Sequence, residues 1–280
     1  MSTSAVNGSN EAGTPLVPDT GRLRILQVSG SAAGGVRTHL ADCARILAAD
    51  GHDVIVEAPT TEAGRLDLDA LEVAFEKERP AAYLLCSPHN PSGVVHTAEE
   101  LARVMELANT HDVAVICDEI HAPLSGAEHT PLHQVPGGER AFIVTSASKS
   151  WNLAGLKAGL IVPGAEVADV VKGLSGYVPE SASYLGVVAH ATALNEGRDW
   201  LAEAAAEIRE NKQHFADELN RAIPELTYTP SQGTYLAWLD CSPLGLDHAG
   251  QHFFEKAKVR FGQGTDYAPS ATQFVRVNLA

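Results

Sequence analysis

The sequence predicts an α/β chain, with a large domain on a mostly parallel sheet and a small α+β lobe at the C-terminal end. Three observations predict it. Short apolar runs alternate with amphipathic stretches of helical period from residue 21 to about residue 197, the rhythm of strand and crossover helix. Several of these runs stop at Pro, Gly or a polar cluster, as buried parallel strands do. Beyond Pro224 the pattern changes to two strand-like runs separated by one short helix.

Each element follows in order. Residues 1–20 carry no basic segment and no apolar run, so they read as a polar disordered tail rather than a signal peptide. Residues 21–59 read as one βαβ unit: a strand at 23–28, a Gly-rich turn at 29–35, a helix at 36–49 and a strand at 53–57. Residues 60–197 make the large domain, which opens with a helix at 67–78 and the dense apolar run YLLCS at 83–87, followed at once by the turn HNPSG. Thr97 stands as N-cap of a helix over 98–109, with Glu100 at the third helical position completing a capping box. A strand at 113–117 leads to Asp118, a strand at 141–145 stops at SASKSWNLAG (146–155), and 158–162 is a further strand before Pro163 and Gly164. The stretch 181–195 lacks Asp, Glu, Lys and Arg and reads as a buried helix. Residues 198–280 hold an interdomain helix over 198–223, with Leu201, Ile208, Phe215 and Ala222 on one face, and then the small domain. Its elements are GTYLAWLD (233–240), a helix at 248–257 and a strand at 274–279.

Twenty Lys and Arg against 35 Asp and Glu give a net charge of −15, which repels a phosphate backbone or an anionic membrane surface. Nucleic acid and membrane are therefore not expected as partners. Cys43, Cys86, Cys117 and Cys241 lie far apart, three of them in strand-like surroundings, and read as buried free thiols of a reducing, cytoplasmic setting. Two H-x3-H pairs, His129 with His133 and His248 with His252, lack a third ligand, and Pro131 interrupts the first, so no metal is expected.

The chemistry-bearing residues stand after three successive strands: Asn90 after the first, Asp118 and His121 after the second, Ser146, Ser148 and Lys149 after the third. A lysine in a tight Ser-rich turn can lose its proton readily and form an imine, while serine hydroxyls at a helix start can hold a phosphate. An aspartate at a neighbouring strand end can pair with a protonated ring nitrogen. Those are the requirements of pyridoxal 5'-phosphate, whose ring withdraws electrons while its nitrogen stays protonated.

Five motifs make a resemblance specific: LLCSPHNPSG (84–93), CDEIHAPL (117–124), TSASKSWNLAGLK (145–157), GTYLAWLDC (233–241) and FVRVNLA (274–280). Over about residues 66–280 the chain resembles the pyridoxal-phosphate-dependent class I/II aminotransferase superfamily of fold type I, and within it the cystathionine β-lyase (C–S β-lyase) branch. The resemblance implies a three-layer αβα large domain, incomplete at its N-terminus, and a homodimer acting on a small amino-acid substrate. It implies that Lys149 carries the cofactor and moves the substrate α-proton, that Asp118 pairs with the ring nitrogen, and that Asn90 and His121 contact the ring hydroxyl. Ser146, Ser148 and Lys157 would contact the phosphate, and Arg276 would take the substrate carboxylate; apart from the resemblance, Trp151, Trp200 and Trp238 read as packing residues, with a pocket wall as the alternative for Trp151 beside Lys149. The expected reaction is C–S β-elimination, with amino transfer as the alternative. Residues 22–59 also resemble the opening βαβ of a GT-B glycosyltransferase; alternatively they stand in for the phosphate-loop unit, with Gly34 and Gly35 facing the phosphate. An inactive fused homologue or a glycosyltransferase fragment is the remaining reading.

Overall fold

The computed structural model describes residues 24–27, 53–55, 60–61, 64–268 and 270–280. The expected tail at 1–20, the turn at 29–35 with Gly34 and Gly35, the helix at 36–49 and Cys43 lie outside the described residues.

The large sheet has six strands: β1 (Arg24–Gln27), β2 (Asp53–Ile55), β3 (Ala82–Cys86), β4 (Ala114–Asp118), β5 (Phe142–Thr145) and β6 (Leu160–Pro163). Their spatial order is β2-β1-β3-β4-β5-β6. The first five run parallel, and β6 returns antiparallel to β5. The order reverses between β1 and β3, so the carboxyl ends of the central strands open on a switch-point crevice, where α/β sheets bind ligands.

Helices α1 (Leu68–Glu78) and α2 (Ala98–Thr110) supply the core of the large domain. Asp67 caps α1 by accepting from the Ala70 N–H, and α1 ends where Arg79 turns left-handed. The capping box of α2 forms as expected, with Thr97 accepting from the Glu100 N–H and Glu100 accepting from the Thr97 N–H. Leu101, Val104, Met105, Leu107 and Ala108 make its buried face and pack with Leu71, Phe75, Tyr83, Leu85, Val115 and Cys117 in one cluster. Each large apolar side chain removed from water there contributes roughly 1.5–3 kcal/mol. This cluster fixes β3 and β4, and with them the loops at their ends.

Helices α3 (Ala122–Ser125), α4 (Ala147–Ser150), α5 (Ala168–Lys172) and α6 (Tyr177–Glu180) are single turns. They precede α7 (Tyr184–Glu196), where the structure corrects the sequence reading of a buried helix. Tyr184 is 80% and Leu185 72% exposed, with Val187 and Val188 also open to solvent. Only Gly186, His190 and Ala193 face inward, one narrow stripe on a helix that is apolar all round. A Cβ on Gly186 would collide with the Leu156 carbonyl, so the small residues set how closely the helix can approach. The antiparallel direction of β6 is likewise a finding that periodicity did not anticipate.

A 25-residue helix, α8 (Arg198–Ala222), leads to the small lobe. Leu201, Ile208 and Phe215 are at least half-buried as the seven-residue spacing predicts, whereas Ala222 is exposed in the last turn. The lobe is a three-stranded antiparallel sheet, order β7-β9-β8, of β7 (Leu236–Asp240), β8 (Gly262–Gln263) and β9 (Phe274–Asn278), with helix α9 (Ala249–Ala257) packed on it. Leu239, Cys241, Ala249 and Val275 form its core. Cys86, Cys117 and Cys241 are buried free thiols, as expected.

Candidate active site

The strand register brings the predicted residues to one edge. Cys86 pairs with Asp118 and Asp118 with Val144, so the segments that follow β3, β4 and β5 emerge side by side. Asn90, Asp118 with His121, and Ser146 to Lys149 are thus neighbours in space although 59 residues separate Asn90 from Lys149.

Asp118 is half-buried and its Oδ1 accepts from the Ile120 N–H at 2.9 Å. Burial raises its carboxyl above the ordinary range, opposed by that N–H and by the Lys149 ammonium. On Lys149 burial acts in the other sense: it lowers the ammonium pKa, and the Arg276 cation adds to the effect while Asp118 opposes it. His121 is 2% exposed, with the ring of Tyr235 edge-on at 5.5 Å. Burial, helped by the cations of Lys149, Arg276 and Lys212, pushes the imidazole pKa down to about 3, so His121 is neutral near pH 7. Its Nδ1 is buried without a hydrogen-bond partner among the described residues.

Ser146 ends β5 and begins α4 as its N-cap. Its Oγ accepts from the Ser148 N–H at 3.0 Å and donates to the Ala158 carbonyl at 2.9 Å, so the hydroxyl proton is held inside the turn. The Ser148 hydroxyl is half-buried and makes no hydrogen bond among the described residues, and Lys157 is exposed after the short 3-10 turn Ala154–Leu156. Trp151 donates its indole N–H to the Gly197 carbonyl at 2.9 Å, which ties α4 to the start of α8.

Arg276 lies mid-strand in β9, opposite Trp238 on one side and Gly262 on the other. Its Nη1 donates to the Asn90 Oδ1 at 3.1 Å, and its guanidinium carbon sits 5.1 Å from the centre of the Tyr267 ring. Tyr267 packs edge-on against Trp238, which stacks on Phe274. A guanidinium backed by an aromatic face keeps its outward edge for a planar anion.

Sequence reasoning missed the Asn90–Arg276 contact and the parts played by Tyr235, Tyr267 and Lys212. Only Lys212 left a signal, a cation placed on the apolar stripe of α8. In the first H-x3-H pair each histidine has its own neighbour, and in the second His252 packs edge-on against Phe253. His129 Nε2 lies 3.2 Å from Glu119 Oε2, His133 Nε2 lies 3.2 Å from the Ala141 carbonyl, and no group of three metal-ligating side chains occurs among the described residues.

These residues fit pyridoxal phosphate. A half-buried carboxylate with one N–H donor can pair with a ring N–H, the orphan His121 Nδ1 awaits a polar partner, and a lysine pushed toward neutrality can serve as nucleophile and base. Ser148 and Lys157 have groups to offer a phosphate; the committed hydroxyl of Ser146 has less.

The description "Aminotransferase class I and II" belongs to the family model that matches residues 41–280. A protein of Mycobacterium tuberculosis (strain H37Rv), "Putative cystathionine beta-lyase", is 38% identical over 298 residues, covering 95% of this chain and 73% of that protein. Its namesake in Mycobacterium leprae is 40% identical over 254 residues, covering 82% of this chain and 63% of that protein. Among solved structures, "a putative plp-dependent beta-cystathionase" from Corynebacterium diphtheriae superposes with a TM-score of 0.79 at 30% identity, over 93% of this chain and 67% of that one.

Proposed function

The chain belongs to the class I and II aminotransferase family, and on that premise we propose that it is a pyridoxal-phosphate-dependent C–S β-lyase. Its substrate would be cystathionine or another cysteine S-conjugate, opened at the Cβ–S bond to a thiol, pyruvate and ammonia. The observation that carries this reading is the convergence of Asp118, Lys149 and the Asn90–Arg276 pair on one sheet edge. The names of the mycobacterial relatives support elimination over amino transfer.

When bound, pyridoxal phosphate supplies an electron sink for charge developing at the substrate Cα. Lys149 Nζ would hold the cofactor at rest and then take the proton from Cα, a task that its lowered pKa suits. Asp118 would keep the ring nitrogen protonated. Asn90 and neutral His121 would orient the ring through its hydroxyl; Ser148 and Lys157, with the backbone of the Ser146 turn, would hold the phosphate. Arg276 would fix the substrate carboxylate and so point the Cα–H bond at Lys149. In this reading residues 60–197 are the cofactor domain and residues 198–280 the interdomain helix and substrate-closing lobe.

We further propose a cytoplasmic homodimer. Among the described residues no helix is long and apolar enough to cross a membrane. The exposed apolar side chains of α7 and of β6, Leu160 to Val162, support a second copy as the group that covers them.

Incubating the purified chain with pyridoxal phosphate and cystathionine should release pyruvate faster than it transfers an amino group to a 2-oxo acid. Dominant transfer would replace elimination by transamination, and absence of both with cofactor bound would overturn the enzymatic reading.

A further inference from the structure

Helix α8 buries a cation whose part so far is only that its charge helps keep His121 neutral. Lys212 is 2% exposed, and its Nζ donates to the Ser231 carbonyl at 2.8 Å, the Gly233 carbonyl at 2.9 Å and the Ser231 Oγ at 3.2 Å. An ammonium has three protons, so these acceptors use all of them. No carboxylate forms an ion pair with Lys212 among the described residues. Burying a charge without a counter-charge is unfavourable, and three neutral acceptors offset that only in part. An apolar residue on the stripe of α8 would satisfy packing but would take the Lys212 donor from the Ser231 carbonyl and leave the buried Gly233 carbonyl with the Ser231 hydroxyl alone.

That turn is pressed against the loop that carries Asn90. The Gly233 N–H donates to the Gly93 carbonyl at 2.9 Å. A Cβ on Gly233 would stand 2.6 Å from Pro88 Cβ, and one on Gly93, at φ +72°, would stand 2.8 Å from the Gly233 carbonyl oxygen. The two segments therefore meet backbone to backbone, at a spacing that only glycine permits. One carries Asn90; the other runs into β7, where Trp238 is paired with Arg276. The Asn90–Arg276 hydrogen bond closes the circuit.

We propose that Lys212 is a positioning residue for the substrate carboxylate: by holding 231–233 against 88–93 it sets the spacing of Arg276 and Asn90 that the carboxylate meets. This rests on the reading of Arg276 given above. Lys212 itself touches neither the proposed substrate nor the cofactor.

The test compares Lys212→Met, which keeps length and removes donors and charge, with Lys212→Arg, which keeps both. The Met variant should raise KM for the amino-acid substrate about tenfold, the weight of roughly one hydrogen bond to a charged group, and leave kcat within about threefold. The Arg variant should recover most of that loss. Amide hydrogen exchange in the cofactor-free protein should quicken at 88–93 and 231–236 in the Met variant, with α2 unchanged. Unchanged KM in a folded Met variant, a fall confined to kcat, an Arg variant no better than Met, or exchange rising equally everywhere would each overturn the proposal. Should Lys212→Met not fold, Ser231→Ala removes one acceptor and should raise KM in the same direction; an unchanged KM there overturns it. If the wild type shows no turnover, the lyase reading fails, and the exchange comparison still decides whether Lys212 holds the two loops.

Discussion

Burial pulls the two charged groups at the strand ends toward neutrality from opposite sides, Asp118 up and Lys149 down, and each restrains the shift of the other. Substituting Asp118→Asn removes the charge that would hold a ring proton and also frees Lys149 to drop further. Turnover should fall by about 100-fold or more, the usual span for a lost acid–base group. Cofactor retention should fall far less, since the other contacts remain; absorbance of the bound cofactor set beside pyruvate release checks this, and equal losses would make Asp118 structural. Borohydride reduction in the presence of pyridoxal phosphate, followed by peptide mapping, should place the cofactor on Lys149. Finding it on Lys157 would reverse the assignment. Lys157 is exposed and extends from a left-handed turn residue, whereas Lys149 is half-buried beside Asp118.

At the scale of elements, the capping box of α2 offers a clean stability test. Thr97→Ala should cost about 1 kcal/mol, seen as a lower urea midpoint with an unchanged slope, because one helix-end N–H loses its acceptor. Activity should not move, since α2 faces the core rather than the strand ends. This box was legible because it is local: four residues contain the whole interaction. The strands β3, β4 and β5 were legible for a similar reason, each a short apolar run with a polar stop. Helix α7 was not, because an all-apolar helix carries no periodic mark of which face is inside. The site shows the same division. Motifs single out Lys149, Asp118 and Arg276 as candidates, but the Asn90 side chain that accepts from Arg276 lies 186 residues away in sequence and no local pattern announces the contact. The direction of β6 depends on where the connection at 146–159, with α4 and a 3-10 turn inside it, sends the chain, which composition does not encode.

For the whole molecule, acid is the expected weakness. His89 and His96 are buried with ring centroids 6.4 Å apart, flanked by Ser92, Glu100, Arg65 and His129. Burial lowers their pKa values to about 3 and about 4 from 6.5. Between those values and 6.5 the unfolded chain binds more protons than the folded one, so stability must fall as the pH falls. By pH 5 each histidine costs roughly 2 kcal/mol, at 1.36 kcal/mol per unit. The urea midpoint should therefore drop clearly between pH 7 and pH 5, and His96→Asn should flatten the drop; an equally steep profile in that variant would assign the effect elsewhere. The exposed apolar side chains of α7 and of β6 have a different consequence as the dimer surface proposed above. If a second copy covers them, protein concentration becomes a term in the stability of every subunit, and each tenfold dilution takes about 1.4 kcal/mol from the assembled state. Specific activity should then decay when a concentrated stock is diluted for assay, with a lag that shortens on reconcentration. During synthesis a dimer of this kind would leave those side chains open in each new subunit until a second copy covers them, so soluble yield should depend on expression rate as much as on sequence.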